Sequence, residues 1–269
     1  VNGDFEMENS NAPHIDLSGL VTVGGYTYIH DNEDTLTVDL SALTSVGDYL
    51  YITSNEEMTG VDLGALETVD GSVYIYNSDN FEDLNLDSLR TVESSLNISN
   101  NDAMEELSMP ALEEVAGSMQ FENNQQLVDL SATALSTVGG SFTVYDNDDL
   151  ESLELSSLDT IGGQFYLYNN DALETVDISA LTTVGSSFYI YHNDAIEDFS
   201  APSLTSLGNE LFLYYNTSLQ TLSIPALEYA PNQVQVEENY DLETLDLSAL
   251  KDINSSLYIR HNYTMDSAD

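Results

Sequence analysis

Cysteine and tryptophan are absent from this 269-residue chain, and only three residues are basic: Arg90, Lys251 and Arg260. Without cysteine there is no disulfide, thiol nucleophile or thiolate metal site, which excludes the disulfide-stapled class of secreted domains. Against those three bases stand 48 acidic residues, for a formal net charge of −45. Nucleic acids and anionic lipids are held through Lys and Arg contacts to phosphate, so neither nucleic acid nor direct contact with an anionic membrane is expected. A surface of this charge is accompanied by cations, as concentrated monovalent salt or as bound divalent ions such as Ca²⁺, and no other cofactor is expected. No apolar stretch is long enough to span a bilayer as a helix. The chain begins at Val1 rather than Met, so a mature or trimmed form, with any leader removed, is expected. Helical periodicity of useful length is also missing. The hydrophobic fraction is nevertheless an ordinary 42%, so the charge does not signal disorder.

What the chain has is a repeat. Asparagine recurs at Asn32, Asn55, Asn101, Asn124, Asn147, Asn170, Asn193, Asn216, Asn239 and Asn262, every step a multiple of 23, with Ser78 filling the one gap. Eleven residues after each of these positions as far as Asn239 comes leucine, from Leu43 through Leu66, Leu89 and onward to Leu250. Two more apolar columns keep step, one through Val46, Val69, Val92 and Val115, the other through Ile52, Ile75, Ile98 and Phe121. A fixed period of this size is the signature of a solenoid, in which each coil buries its apolar side on its neighbours.

Within a coil, Phe165-Tyr166-Leu167-Tyr168 alternates inward and outward residues, as a strand does, and Val176-Asp177-Ile178 repeats the alternation. Small residues such as Ser179, Ala180 and Gly185 mark the turns between. The expectation is an all-β fold: a single right-handed β-solenoid of about eleven coils of 23 residues, each with two short strands stacking in parallel on the next coil. Residues 1–8 read as an N-terminal lid or lead-in, 9–262 as the solenoid, and 263–269 as the start of a further, truncated repeat.

The stretch Phe188-Tyr189-Ile190-Tyr191-His192-Asn193-Asp194-Ala195-Ile196 has the form L-x-L-x-x-N-x-x-L, and the Leu/Val-x-Leu/Ile-x-x-Leu-x-x-Val-Gly pattern follows it. The chain therefore resembles the leucine-rich-repeat superfamily, in its receptor L-domain branch, over about residues 13 to 262. That branch includes ligand-binding domains of growth-factor receptors and a set of fungal cell-wall and bacterial surface proteins. The resemblance implies an extracellular or cell-surface recognition module. Lacking every cysteine, the chain departs from the receptors, and their capping and signalling do not carry over.

Three sets of residues are candidates for a role. The asparagine column, with Asn101, Asn124, Asn147, Asn170, Asn193, Asn216 and Asn239 at its heart, is expected to be scaffold that satisfies backbone groups at a coil corner. On the outward side of one strand, Tyr166, Tyr168, Tyr189, Tyr191, Phe212 and Tyr214 form a two-by-three aromatic panel. Stacked rings along a parallel sheet stabilise one another, and a flat aromatic platform also binds a glycan or a protein. The columns break at Asn97, Gln120 and Thr143, which a localised binding face explains. The third set is acidic: Asp148 and Glu151, Asp171 and Glu174, Asp194 and Glu197 recur at identical coil positions, a ligand type that suits Ca²⁺.

Catalysis has little support. The four histidines, His14, His30, His192 and His261, are scattered, and an excess of carboxylates gives no information about a catalytic pair. The sequence thus points to a non-enzymatic adhesion or recognition module outside the cell, binding a surface glycan or protein. Its rival is a filament subunit whose copies stack end to end, and a polysaccharide-active enzyme stands third.

Overall fold

A computed structural model describes residues 1–265. The inward alternation of every third short segment produces a long face of twelve parallel four-residue strands, from Phe5–Glu8 to Leu257–Arg260. Register is the sequence period made visible: Phe165, Tyr166, Leu167 and Tyr168 pair with Phe188, Tyr189, Ile190 and Tyr191. No described residue is helical. The coils wind as a β-solenoid.

Each coil holds three strands, where two were expected. Beside the four-residue strand and a three-residue strand such as Thr175–Asp177, a two-residue strand such as Thr183–Val184 pairs with its equivalents above and below. Two residues are too few to display alternation, so this third side left only its apolar column in the sequence. The N-terminal segment is a coil rather than a lid. Phe5–Glu8 pairs with Thr27–His30, and Phe5 and Met7 pack against the core. This first step is 22 residues, one short of the repeat, as the pairing of Phe5 with Thr27 shows. At the other end Met265 packs against the core in the manner of an inward repeat residue, and residues 266–269 of the expected truncated repeat lie outside the described residues.

The core is a set of columns. Phe142, Phe165 and Phe188 stack with ring centroids 5.7 and 4.7 Å apart, and Phe121 joins them at 6.3 Å. Every column leucine from Leu43 to Leu227 is fully buried. The corner after each long strand turns through a residue with positive φ, among them Asp31, Asn100, Asn169, His192 and Tyr215. Asn and Asp enter this left-handed region most readily because their short polar side chains bond locally.

The ladder residue follows that corner. Asn170 Nδ2 donates to the carbonyls of Val144 and Tyr168, both at 3.1 Å, and to Asn193 Oδ1 at 3.1 Å. The Asn193 oxygen also accepts the backbone N–H of Asn170, at 3.2 Å. The same pattern repeats from coil to coil, at sites with no solvent exposure. These bonds pair buried backbone carbonyls and N–H groups at the coil corner.

Ser78 breaks the pattern. Its hydroxyl accepts from the Asn55 N–H at 3.3 Å, but its own N–H turns to the Asn100 carbonyl, and Asn101 Oδ1 is left buried without a partner. A buried unpaired acceptor costs about 1–3 kcal/mol. Ser78→Asn is therefore expected to raise the unfolding free energy by about 1–2 kcal/mol in urea titration, by supplying the missing donor. A lower stability would show that the corner at Ser78 has no room for an amide.

Candidate functional site

Period-two alternation on the long face sends alternate side chains outward, and the structure brings all six predicted aromatic residues together on Phe165–Tyr168, Phe188–Tyr191 and Leu211–Tyr214. Their surface is not the flat platform expected. Tyr166 meets Tyr189 at 79° and Tyr191 at 80°, and Tyr189 meets Phe212 at 70°. Edge-to-face contact suits the quadrupoles of aromatic rings, and it tips the panel into a shallow bowl. Tyr168 is the exception, stacked on Tyr191 with centroids 4.3 Å apart.

The bowl is a depression of about 380 Å³ lined by Tyr166, Tyr189, Tyr191, His192, Phe212 and Tyr214. Tyr168 supports it from the side. His192 was missed as part of it: the residue sits at the positive-φ corner just before the asparagine column, and its ring stacks on Tyr215 at 5.1 Å and 7°. The signal was its place in the repeat, one step before the ladder, rather than its chemistry.

The hydroxyls are tied down. Tyr166 and Tyr191 share a short hydrogen bond, and Tyr189 donates to Glu210 at 2.8 Å. Burial pushes the Tyr191 hydroxyl well above the ordinary tyrosine range, and the bond to Tyr166 adds to it. Burial also raises Tyr189; a bond with Ser187 opposes the rise and Glu210 reinforces it. Both phenols stay neutral near pH 7. The bowl thus offers apolar ring faces with polar edges, and no carboxylate, serine or threonine stands among its lining residues.

A second aromatic group occupies the same face nearer the N-terminus. Tyr26 stacks on Tyr49 at 5.0 Å and Tyr51 on Tyr74 at 4.7 Å, with Tyr28 and Tyr76 packed around Tyr51. Between the two groups lie the long strands Leu96–Ser99, Met119–Glu122 and Phe142–Tyr145, whose outward residues are mostly polar.

The expected carboxylate ladder is not gathered into a chelating set: among the described residues, Asp148, Glu151, Asp171, Glu174, Asp194 and Glu197 form no group of three ligand atoms within 4.8 Å of one another. Acidic side chains at successive coils repel unless something lies between them. Burial raises the Asp171 carboxyl above the usual aspartate range, Asp194 and Asp148 raise it further, and His192 partly opposes them. Asp194 is occupied by the Thr217 N–H and hydroxyl, at 3.2 and 2.9 Å. A groove of about 730 Å³ elsewhere, where the three-residue strands Asp83–Asn85 and Glu106–Ser108 fall in separate sheets, is lined largely by acids, including Glu82, Asp83, Asp87 and Glu105.

One mixed-donor cluster does form among the described residues: Glu6, Glu8 and His30, with ligand atoms within 4.8 Å of one another. It was not legible while residues 1–8 were read as a lid. The three bases are all engaged at the surface, Arg90 with Glu113 at 3.0 Å, Lys251 with Glu228 at 3.0 Å and Arg260 with Glu237 at 3.4 Å.

Residues 44–138 match the family model of the Receptor L domain. Over those coils the chain is similar to the receptor L domain. The matched coils lie N-terminal to the bowl, so the L-domain likeness concerns the coil and not the aromatic site. Among solved structures, a leucine-rich repeat protein from Bacteroides ovatus is similar at 11% identity over 90% of this chain and 83% of that one. The TM-score of 0.27 is too low for that superposition to bear on the L-domain-like fold. No curated protein matches the chain. Among the described residues, no helix is long and apolar enough to cross a membrane.

Proposed function

We propose that this L-domain-like solenoid is a non-enzymatic recognition module that works outside the cell and holds a neutral sugar chain in the bowl formed by Tyr166, Tyr189, Tyr191, His192, Phe212 and Tyr214. The observation that carries the reading is the bowl itself: five rings on three adjacent strands and a sixth, His192, at the corner after one of them, all half-buried. Sugar rings present C–H faces that pack on aromatic faces, and hydroxyls that meet phenol edges. Net charge supports a neutral ligand, because a chain at −45 repels acidic polysaccharides. An extracellular setting is supported by the Receptor L domain match, whose family acts typically at cell surfaces in ligand recognition.

Tyr189→Ser combined with Phe212→Ser is the test, read on a glycan array and then by calorimetry against the best oligosaccharide. Losing two stacked rings at about 1–1.5 kcal/mol each is expected to weaken binding by about 30- to 150-fold. Both side chains point outward from strands whose inward partners remain, so circular dichroism should be unaltered. Unchanged affinity removes the bowl as the site. Capture of a protein with no glycan bound would replace the sugar by a polypeptide partner.

A further inference from the structure

We propose that Glu6, Glu8 and His30 bind a divalent transition-metal ion of the zinc class, clipping the first strand of the solenoid to the second coil. This site is independent of the aromatic bowl. Its donors belong to two adjacent strands of the long face, where Glu8 is the register partner of His30 and Glu6 that of Tyr28. Outward side chains at these positions converge. His30 Nε2 lies 3.3 Å from Glu6 Oε1 and 3.7 Å from Glu8 Oε2. A tetrahedral ion with bonds of about 2.1 Å separates its ligands by about 3.4 Å, close to both distances from the imidazole, and the two glutamates offer oxygens within 4.8 Å of each other.

The imidazole is held for that use. Its other nitrogen, Nδ1, lies 2.8 Å from Asp31 Oδ2; a proton shared there leaves the Nε2 lone pair facing the two glutamates. A carboxylate behind the coordinating histidine orients the ring and raises its basicity. Tyr28 stacks on the ring with centroids 3.9 Å apart, and the His30 side chain is only 12% exposed. Asp31 is itself placed by its positive-φ corner, at 52°.

Charge gives a separate argument. Three carboxylates surround one imidazole, so even a protonated ring leaves the cluster negative, and Arg90, Lys251 and Arg260 are paired elsewhere. The site therefore favours positive charge. Ca²⁺ prefers six to eight oxygens, whereas one imidazole with two carboxylates and room for water suits Zn²⁺ and its first-row neighbours.

The experiment strips the full chain of metal with chelator and titrates Zn²⁺ at neutral pH in about 0.5 M NaCl, where a Debye length of about 4 Å suppresses loose association with the acidic surface. One saturable site per chain is expected, competed poorly by Ca²⁺. His30→Gln should weaken it by at least about 100-fold, and Asp31→Asn by about 10- to 100-fold. Glu8→Gln, at an exposed position that folding does not need, should weaken it by at least about 10-fold, with Glu113→Gln as the unaffected control. Bound Zn²⁺ should also slow amide exchange in residues 5–8. Absence of a saturable site in the unaltered chain, equal affinity in Glu8→Gln and His30→Gln, or displacement by equimolar Ca²⁺ would each overturn the proposal.

Discussion

Asn170→Ala is expected to lower the unfolding free energy by about 4 kcal/mol, the largest effect of a single side chain outside the apolar columns. Asn170 serves two coils at once. Removing it strips donors from the Val144 and Tyr168 carbonyls and an acceptor from the N–H and side chain of Asn147, at 3.3 and 3.2 Å. The site has no solvent exposure, so water cannot replace the lost partners without opening the corner. Each orphaned group costs about 1–3 kcal/mol. Asn170→Ser is expected to cost less, because Ser78 shows that a hydroxyl at this position still accepts the preceding N–H. Urea denaturation followed by circular dichroism checks both. Equal loss in the two variants would mean that the volume of the amide matters and its bonds do not.

Salt is expected to move the melting temperature by roughly 10 °C. Raising NaCl from about 10 mM to about 1 M shortens the Debye length from about 30 Å to about 3 Å. Coils stack about 4.8 Å apart, so carboxylates at equal positions face one another along the axis. The raised Asp171 carboxyl, burdened by burial and then by Asp194 and Asp148, is the local record of that repulsion. Surface ion pairs bring little relief, because the Arg90 and Lys251 pairs are solvent-exposed and only Arg260 reaches a largely buried carboxylate, that of Glu237. Repeating the scan with CaCl₂ at matched ionic strength separates screening from binding: an excess rise belongs to bound ions. A melting temperature indifferent to salt would show that self-repulsion does not limit stability.

The coil was legible because its markers are single residues at fixed places: leucine eleven residues after each asparagine survives any variation between. The aromatic residues were equally legible in position, since alternation alone sends Tyr166 and Tyr168 outward. Their tilt was not, because edge-to-face packing depends on how neighbouring rings avoid one another rather than on spacing. Thr183–Val184 escaped notice as a strand because two residues carry no alternation. The corner column escaped because Asn, Asp, Ser, His, Tyr and Glu all occupy it, united only by backbone conformation. The Glu6, Glu8 and His30 cluster depends on a 22-residue first step; a strict 23-residue frame sets His30 opposite Met7 and scatters the donors.

The interruption at Ser78 divides the amide ladder into a short run, Asn32 and Asn55, and a long one from Asn101 to Asn262. Past Asn101, whose own oxygen is left unpaired, every side-chain oxygen of the long run receives from the preceding coil, so the amides line up head to tail and reinforce one another. In the recognition role proposed above, the solenoid is tugged along its length whenever what it holds moves. Under such tension the chain is expected to part at the coil of Ser78 before anywhere else, freeing the stretch up to there as one block while the bowl at residues 166–214 keeps its grip.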